Sequence, residues 1–241
     1  MRDQREVQRK EFLDQVNNML TERNLKALPK LGDVDKGEIE LTAVEEVLDG
    51  MSRFHTDVRF KCIFPGGGTG SFQIRWNANS AVSDGAVFLP IINGKVAVVK
   101  QWRPTMGRWT YEVPRGFGEA LDKAKVNGQY GQIKIADLPL NNLFRELGEE
   151  VKKGAEVSSI VFLGNVAENT GTHTAMPSFY IVNFKVDEDV LEQRLKGAEE
   201  GIKVQLWTID KVKSELGGKL NDLHTIGAVA LALKHMSELP R

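Results

Sequence analysis

At 241 residues, with 41% apolar and 27% charged side chains and a formal net charge of -1, the chain can build a folded core. It carries no global field that would draw in nucleic acid or an anionic membrane. One cysteine, Cys62, excludes an intramolecular disulfide or a cysteine zinc cluster; with no apolar core in Met1–Glu6 and no run of roughly 18 apolar residues, the expectation is a soluble cytoplasmic protein with neither nucleic-acid nor membrane partners.

Residues 4–25 place Val7, Phe12, Leu13, Val16, Met19 and Leu20 at near-helical spacing among charged neighbours, which predicts an amphipathic helix in need of a surface. Pro29, Gly32, Asp33, Asp35 and Gly37 read as a linker, and Glu40–Met51 reads as a second short helix. Residues 1–52 are therefore expected to form an N-terminal helical extension, with a second domain over 53–241.

From residue 57 the pattern changes to strands. Val58–Phe64 and Ser71–Trp76 flank Pro65-Gly66-Gly67-Gly68-Thr69-Gly70, a hairpin loop. The glycine run is not a phosphate-binding loop, because Ser71-Phe72 stands where a Lys followed by Ser or Thr would have to reach phosphate and Mg²⁺. Ala86–Ile92 and Lys95–Trp102 are apolar, β-branched runs joined by Asn93-Gly94, the pair preferred in a tight type I′ turn. Further strands are predicted at Ser159–Val166, Ser178–Phe184 and Ile202–Trp207, and helices at Leu138–Lys152, Val190–Leu195, Lys211–Leu216 and Asn221–Met236. This mixture with prominent hairpins reads as α+β with a mixed sheet.

The chemistry is carried by Asn142–Val151. Leu143, Leu147 and Val151 recur every four residues and define a buried stripe. Glu146 and Glu150 are likewise four apart, so their carboxylates stack on another face, and Glu149 can share the site. Three carboxylates on one helical turn repel each other unless a cation lies among them, and hard oxygen ligands suit Mg²⁺ or Mn²⁺. The plain alternative is a solvated acidic face with Arg145 as counter-charge. What precedes the helix favours the metal: Trp109–Gly116 runs as a strand into Pro114-Arg115-Gly116.

Arg145-Glu146-Leu147-Gly148-Glu149-Glu150 is similar to the core of the box that defines the Nudix hydrolases. Gly116 matches the first glycine of that box, and Asp137 stands where the family has Glu. The 20 residues between them, where the family has five, imply an insertion of 15 near 120–134. The closing glycine is also displaced: Lys152-Lys153 occupy its place and Gly154 follows. Gly85–Pro90, Gln101-Trp102-Arg103-Pro104, Glu112-Val113-Pro114 and the tail from Trp207 through Gly218–Asp222 to Thr225 resemble the ADP-ribose pyrophosphatase branch, over about residues 57–236.

The resemblance implies a Nudix-type α/β/α sandwich with a mixed central sheet, plus an N-terminal helical and β-hairpin extension. It implies Mg²⁺-dependent (or Mn²⁺-dependent) hydrolysis of ADP-ribose or a related nucleoside diphosphate sugar, and a homodimer. The alternatives are a non-catalytic nucleotide-binding module on the same fold and a hydrolase of another nucleoside diphosphate. By position, Glu146 and Glu150 are the principal metal ligands, Glu149 is a ligand or base, and the Arg115 carbonyl completes the shell. Arg145 orients a glutamate, and Arg103 contacts diphosphate or ribose. Glu112 either hydrogen-bonds the nucleoside or pairs with Arg115. Asp137 reads as a helix N-cap before Leu138-Pro139. In the Ala167–Pro177 loop no glutamate follows Gly171, so Glu168 is the candidate base, with His173 the other proton acceptor there. His55, His224 and His235 read as structural.

Overall fold

The structure, a computed structural model, describes residues 2–52, 54–81, 84–116, 155–186 and 202–238. They belong to two compact units, Met1–Asp84 with Ala167–Ala175, and Gly85–Val166 with Met176–Arg241. The predicted helices at Leu138–Lys152 and Val190–Leu195, the insertion near 120–134, Asp137, and Arg145, Glu146, Glu149 and Glu150 lie outside the described residues.

In the first unit, helix α1 (Arg2–Glu22) packs on an antiparallel sheet of β1 (Glu40–Ser52), β2 (His55–Ile63) and β3 (Thr69–Asn77). The surface that the amphipathic pattern of α1 requires is this sheet. Val16 and Leu20 are buried, Phe12, Leu13 and Met19 are partly so, and they share one core with Leu41, Val58, Phe60, Cys62 and Trp76. Glu40–Met51, expected to be helical, is strand β1. The cause is visible in the register. Leu41 faces Cys62, Val44 faces Phe60 and Val47 faces Val58, so each two-residue step on β2 takes three residues on β1. Bulges between Leu41 and Ala43 and between Val44 and Glu46 insert the extra residues. An apolar period of three then imitates a helix in a bulged strand. Between α1 and β1, Asn17 holds the backbone of Leu28 at both ends, accepting from its N–H (2.8 Å) and donating to its carbonyl (3.1 Å).

In the second unit, β4 (Ala86–Ile92), β5 (Lys95–Arg103), β6 (Arg108–Glu112), β7 (Arg115–Gly116), β8 (Ala155–Asn165), β9 (Ser178–Val186) and β10 (Ile202–Trp207) form a seven-stranded sheet. Its main path is β10-β5-β4-β9-β8, with β6 beside β5 and β7 beside β4. The β4–β9 pair is parallel and the others are antiparallel, so the sheet is mixed, as the residue pattern predicts. The β4–β5 hairpin closes through Asn93 (φ 48°) and Gly94 (φ 78°), both left-handed, as a type I′ turn requires. Helices α2 (Ile209–Glu215) and α3 (Leu223–Glu238) lay Val212, Ala228, Val229 and Ala232 against Val96, Val98, Val113, Phe179 and Trp207 on one face of the sheet. Among the described residues no helix is long and apolar enough to cross a membrane.

Candidate functional site

The register of β5 and β6 sets Val99 opposite Glu112, Gln101 opposite Thr110 and Arg103 opposite Arg108. Alternate residues of a strand share a face, so Gln101, Arg103, Thr110 and Glu112 project to one side. There the Glu112 side chain, only 3% exposed, gathers donors. Arg103 donates Nε to Oε1 at 2.9 Å and Nη2 to Oε2, Thr110 Oγ1 donates to Oε1 at 2.6 Å, and Gln101 Nε2 to Oε2 at 3.2 Å. Burial by itself pushes the Glu112 carboxyl up. The hydrogen bonds from Arg103 and Thr110, with the charges of Arg103 and Arg115, outweigh it and hold the group below its ordinary value. Glu112 is thus an ionised anchor that fixes the guanidinium of Arg103 in one plane.

Arg115 closes the other side of this anchor. Its Nη2 lies 3.5 Å from Glu112 Oε2, while Nη1 lies 2.6 Å from His224 Nδ1 and 3.4 Å from Asp222 Oδ1. The pairing of Glu112 with Arg115, one of the two roles expected for Glu112, is therefore present, and the contact with Arg103 is closer. Asp222 also caps α3, its Oδ1 accepting from Thr225 N–H at 3.1 Å. Thr225 is fully buried and its hydroxyl accepts the Val113 N–H at 2.9 Å.

The backbone of Arg115 has a defined orientation. Val87 faces Arg115 across the β4–β7 pair, and the Phe88 N–H donates to the carbonyl of Pro114 at 3.0 Å. Val87 and Arg115 are thus a non-hydrogen-bonded pair, whose carbonyls point away from the partner strand. The Arg115 carbonyl is not spent on β4, which fits the metal-ligand role expected of it. Among the described residues no cluster of His, Cys, Asp and Glu could hold a metal; the three glutamates expected to do so lie outside them.

Glu168 and His173 belong to the first unit. The segment that carries them pairs with β3: Arg75 N–H donates to Thr172 carbonyl at 2.7 Å, and Thr174 N–H to Arg75 carbonyl at 3.0 Å. Asn169 tightens the turn, its side chain accepting from Gly171 N–H at 2.9 Å and its carbonyl from His173 N–H at 2.9 Å. Glu168 Oε2 and His173 Nδ1 lie 2.7 Å apart, so the two expected proton acceptors of this loop are one pair. On the neighbouring strand, Arg75 forks onto Asp57 with bonds of 2.7 and 2.8 Å, and that hydrogen bonding holds the Asp57 carboxyl below its ordinary value despite partial burial.

Sequence reasoning missed Gln101, Thr110 and Asp222 as members of the site, and took His224 only as structural. Thr110 had a readable signal, since it stands two residues before Glu112 on an alternating strand. Asp222 had one too, three residues before Thr225 at the start of a helical pattern. Nothing in the sequence connects either to Arg115.

The mixed sheet with the α2–α3 layer on one face makes this an α+β fold, and it has a likeness of fold among solved structures. The likeness is to the solved crystal structure of a protein described as an ADP compounds hydrolase, with a TM-score of 0.54 and 11% identity, over 82% of this chain and 96% of that one. No family profile matches the chain, and no curated relative does.

Proposed function

We propose that the chain hydrolyses the diphosphate linkage of ADP-ribose or a related nucleoside diphosphate sugar, with Mg²⁺ or Mn²⁺ bound. The observation that carries the reading is the joint occurrence of a Nudix-like fold and the Arg145-Glu146-Leu147-Gly148-Glu149-Glu150 run downstream of the β7 turn. The description of the structural neighbour as a hydrolase of ADP compounds points to the same substrate class.

Glu146 and Glu150 would hold the metal, with Glu149 beside them as ligand or base and the outward-facing Arg115 carbonyl as a neutral ligand. When bound, the divalent ion offsets the crowded negative charge of the diphosphate and lowers the pKa of the attacking water. Arg145 orients a glutamate through paired hydrogen bonds, which Lys could not reproduce. Arg103, held flat by Glu112, contacts diphosphate or ribose. Glu168, with the His173 ring beside it, takes the water's proton. Water oxygen bonds to one phosphorus as its bridging P–O bond breaks, and ADP-ribose yields AMP and ribose 5-phosphate.

The test is chromatographic product analysis with ADP-ribose and Mg²⁺, with and without chelator. AMP and ribose 5-phosphate should appear only with the metal, and Glu146→Gln and Glu150→Gln should abolish them. Full activity in both variants sinks the metal assignment. Calorimetric binding of ADP-ribose without turnover would favour a non-catalytic nucleotide-binding module. The homodimer implied by the resemblance is checked by light scattering, where a monomer at micromolar concentration removes it.

A further inference from the structure

We infer that Asn93 is a modification site: a conformation-gated point of deamidation, where the chain loses the side-chain amide that joins the β4–β5 hairpin to β9. The inference is independent of the function proposed above. Asn93-Gly94 is the turn pair of that hairpin, and both residues are left-handed and exposed. The parallel β4–β9 ladder runs from Ala86 opposite Ser178 to Ile92 opposite Phe184, and the Asn93 N–H then donates to the Phe184 carbonyl at 3.2 Å. There the main chain turns away, and the Asn93 side chain carries the pairing one step further. Its Nδ2 donates to the Val186 carbonyl at 2.7 Å, and its Oδ1 accepts from the Val186 N–H at 3.1 Å. Both backbone groups of the last residue of β9 are thus held by one primary amide, a group that offers a donor and an acceptor together.

An asparagine followed by glycine is open to attack by the next peptide nitrogen, because glycine has no side chain to obstruct the approach. The Gly94 nitrogen bonds to Asn93 Cγ, the Cγ–Nδ2 bond breaks, and ammonia leaves with the proton of the Gly94 N–H. The five-membered imide then takes up water at either carbonyl, giving aspartate or its β-linked isomer. Neighbouring atoms give no steric shield, since even a Cβ at Gly94 would meet nothing within 4 Å. Protection comes from the two Val186 bonds. Ring closure turns Cγ towards the Gly94 nitrogen and takes Nδ2 off the Val186 carbonyl, so both bonds must open first. The product cannot close the clamp again. A carboxylate only accepts, so an oxygen would face the Val186 carbonyl where the donor stood.

The experiment incubates the purified full-length chain in mildly alkaline buffer, with and without unfolding urea, and follows amide loss by mass-spectrometric peptide mapping. Asn127-Gly128, the second such pair in the sequence, reports the rate of the unconstrained chemistry in the urea arm. In urea the two pairs should react at similar rates. Without urea, Asn93 should react about tenfold more slowly than in urea or slower still, the scale expected of two hydrogen bonds. Asn93→Asp, made directly, should melt below wild type and below Asn93→Gly, which keeps the left-handed turn and removes the side chain. Equal rates of Asn93 loss with and without urea overturn the gating. Asn93 left intact in urea while Asn127 is consumed overturns the site itself, and an Asn93→Asp chain that melts with wild type overturns the clamp.

Discussion

Arg103 and Glu112 lock together through two parallel contacts, Nε to Oε1 and Nη2 to Oε2, on adjacent strands whose register places both side chains on one face. The carboxylate is buried and the guanidinium is partly open, with side chains 3% and 31% exposed. Of the two, the arginine carries the exposed surface.

Glu112→Gln should therefore damage both stability and substrate binding. It removes the charge that compensates Arg103 and Arg115, and breaking a buried pair from one side costs about 2 to 4 kcal/mol here, allowing for the partial exposure of the arginines. Urea denaturation should show a lower midpoint with an unchanged slope, and KM for ADP-ribose should rise more than kcat falls. An unchanged midpoint would mean that Glu112 is not the anchor.

Acid should weaken the fold through Glu112 and Asp57. Each carboxyl sits lower in the folded protein than its ordinary value, 4.5 for the glutamate and 3.8 for the aspartate. Such a group binds fewer protons folded than unfolded. Its contribution is fully present above the unfolded pKa and is lost as pH falls through the folded one. Stability measured by denaturant should be flat near neutrality and fall below about pH 4.5. Glu112→Gln and Asp57→Asn should each make that fall shallower, and a slope identical to wild type in both would contradict the assignment.

Thr225→Val isolates one buried hydrogen bond. The volume is kept, but the Val113 N–H loses its acceptor at a buried position. The cost should be about 1 to 3 kcal/mol, read as a drop in thermal midpoint. Thr225→Ser, which keeps the hydroxyl, should lose less.

Two glycines with similar backbone angles should respond differently to alanine. At Gly94 (φ 78°) an added Cβ meets nothing within 4 Å, so only left-handed strain is incurred, about 1 to 2 kcal/mol. At Gly32 (φ 84°) the same atom would lie 1.9 Å from the Ile39 carbonyl oxygen. Backbone cannot yield like a flexible side chain, so Gly32→Ala should melt well below Gly94→Ala in parallel calorimetry. Equal melting would show that the 31–41 segment is looser than its Leu41–Leu31 hydrogen bond of 2.8 Å implies.

The parts of this fold that were legible are those where one local rule acts alone. The β4–β5 hairpin follows from two apolar runs and Asn93-Gly94, and β10 was read at its observed ends because Ile202–Trp207 is bounded by breaks in pattern. Strand β1 was misread because its bulges depend on pairing with β2, and a period-two alternation is hidden once a third residue enters each step. At the site, Arg103, Glu112 and Arg115 were singled out by their place in runs that resemble a known family, and the structure brings their side chains together. The contacts of Asp222 and His224 with Arg115 were not legible, because they depend on α3 starting beside β7, over 100 residues away in sequence, a proximity no local spacing encodes.

The pairing of residues 167–175 with β3 bears on how the chain matures. Synthesis runs from the N-terminus, so α1 and the β1–β3 sheet emerge early, yet the edge of β3 at Arg75 receives its partner only after most of the polypeptide has been made. Until then Arg75 presents an unpaired backbone N–H and carbonyl, the kind of edge that invites association between nascent chains. Truncations that stop before residue 167 would keep that exposure permanently, and they should aggregate even though every residue of the early sheet is present.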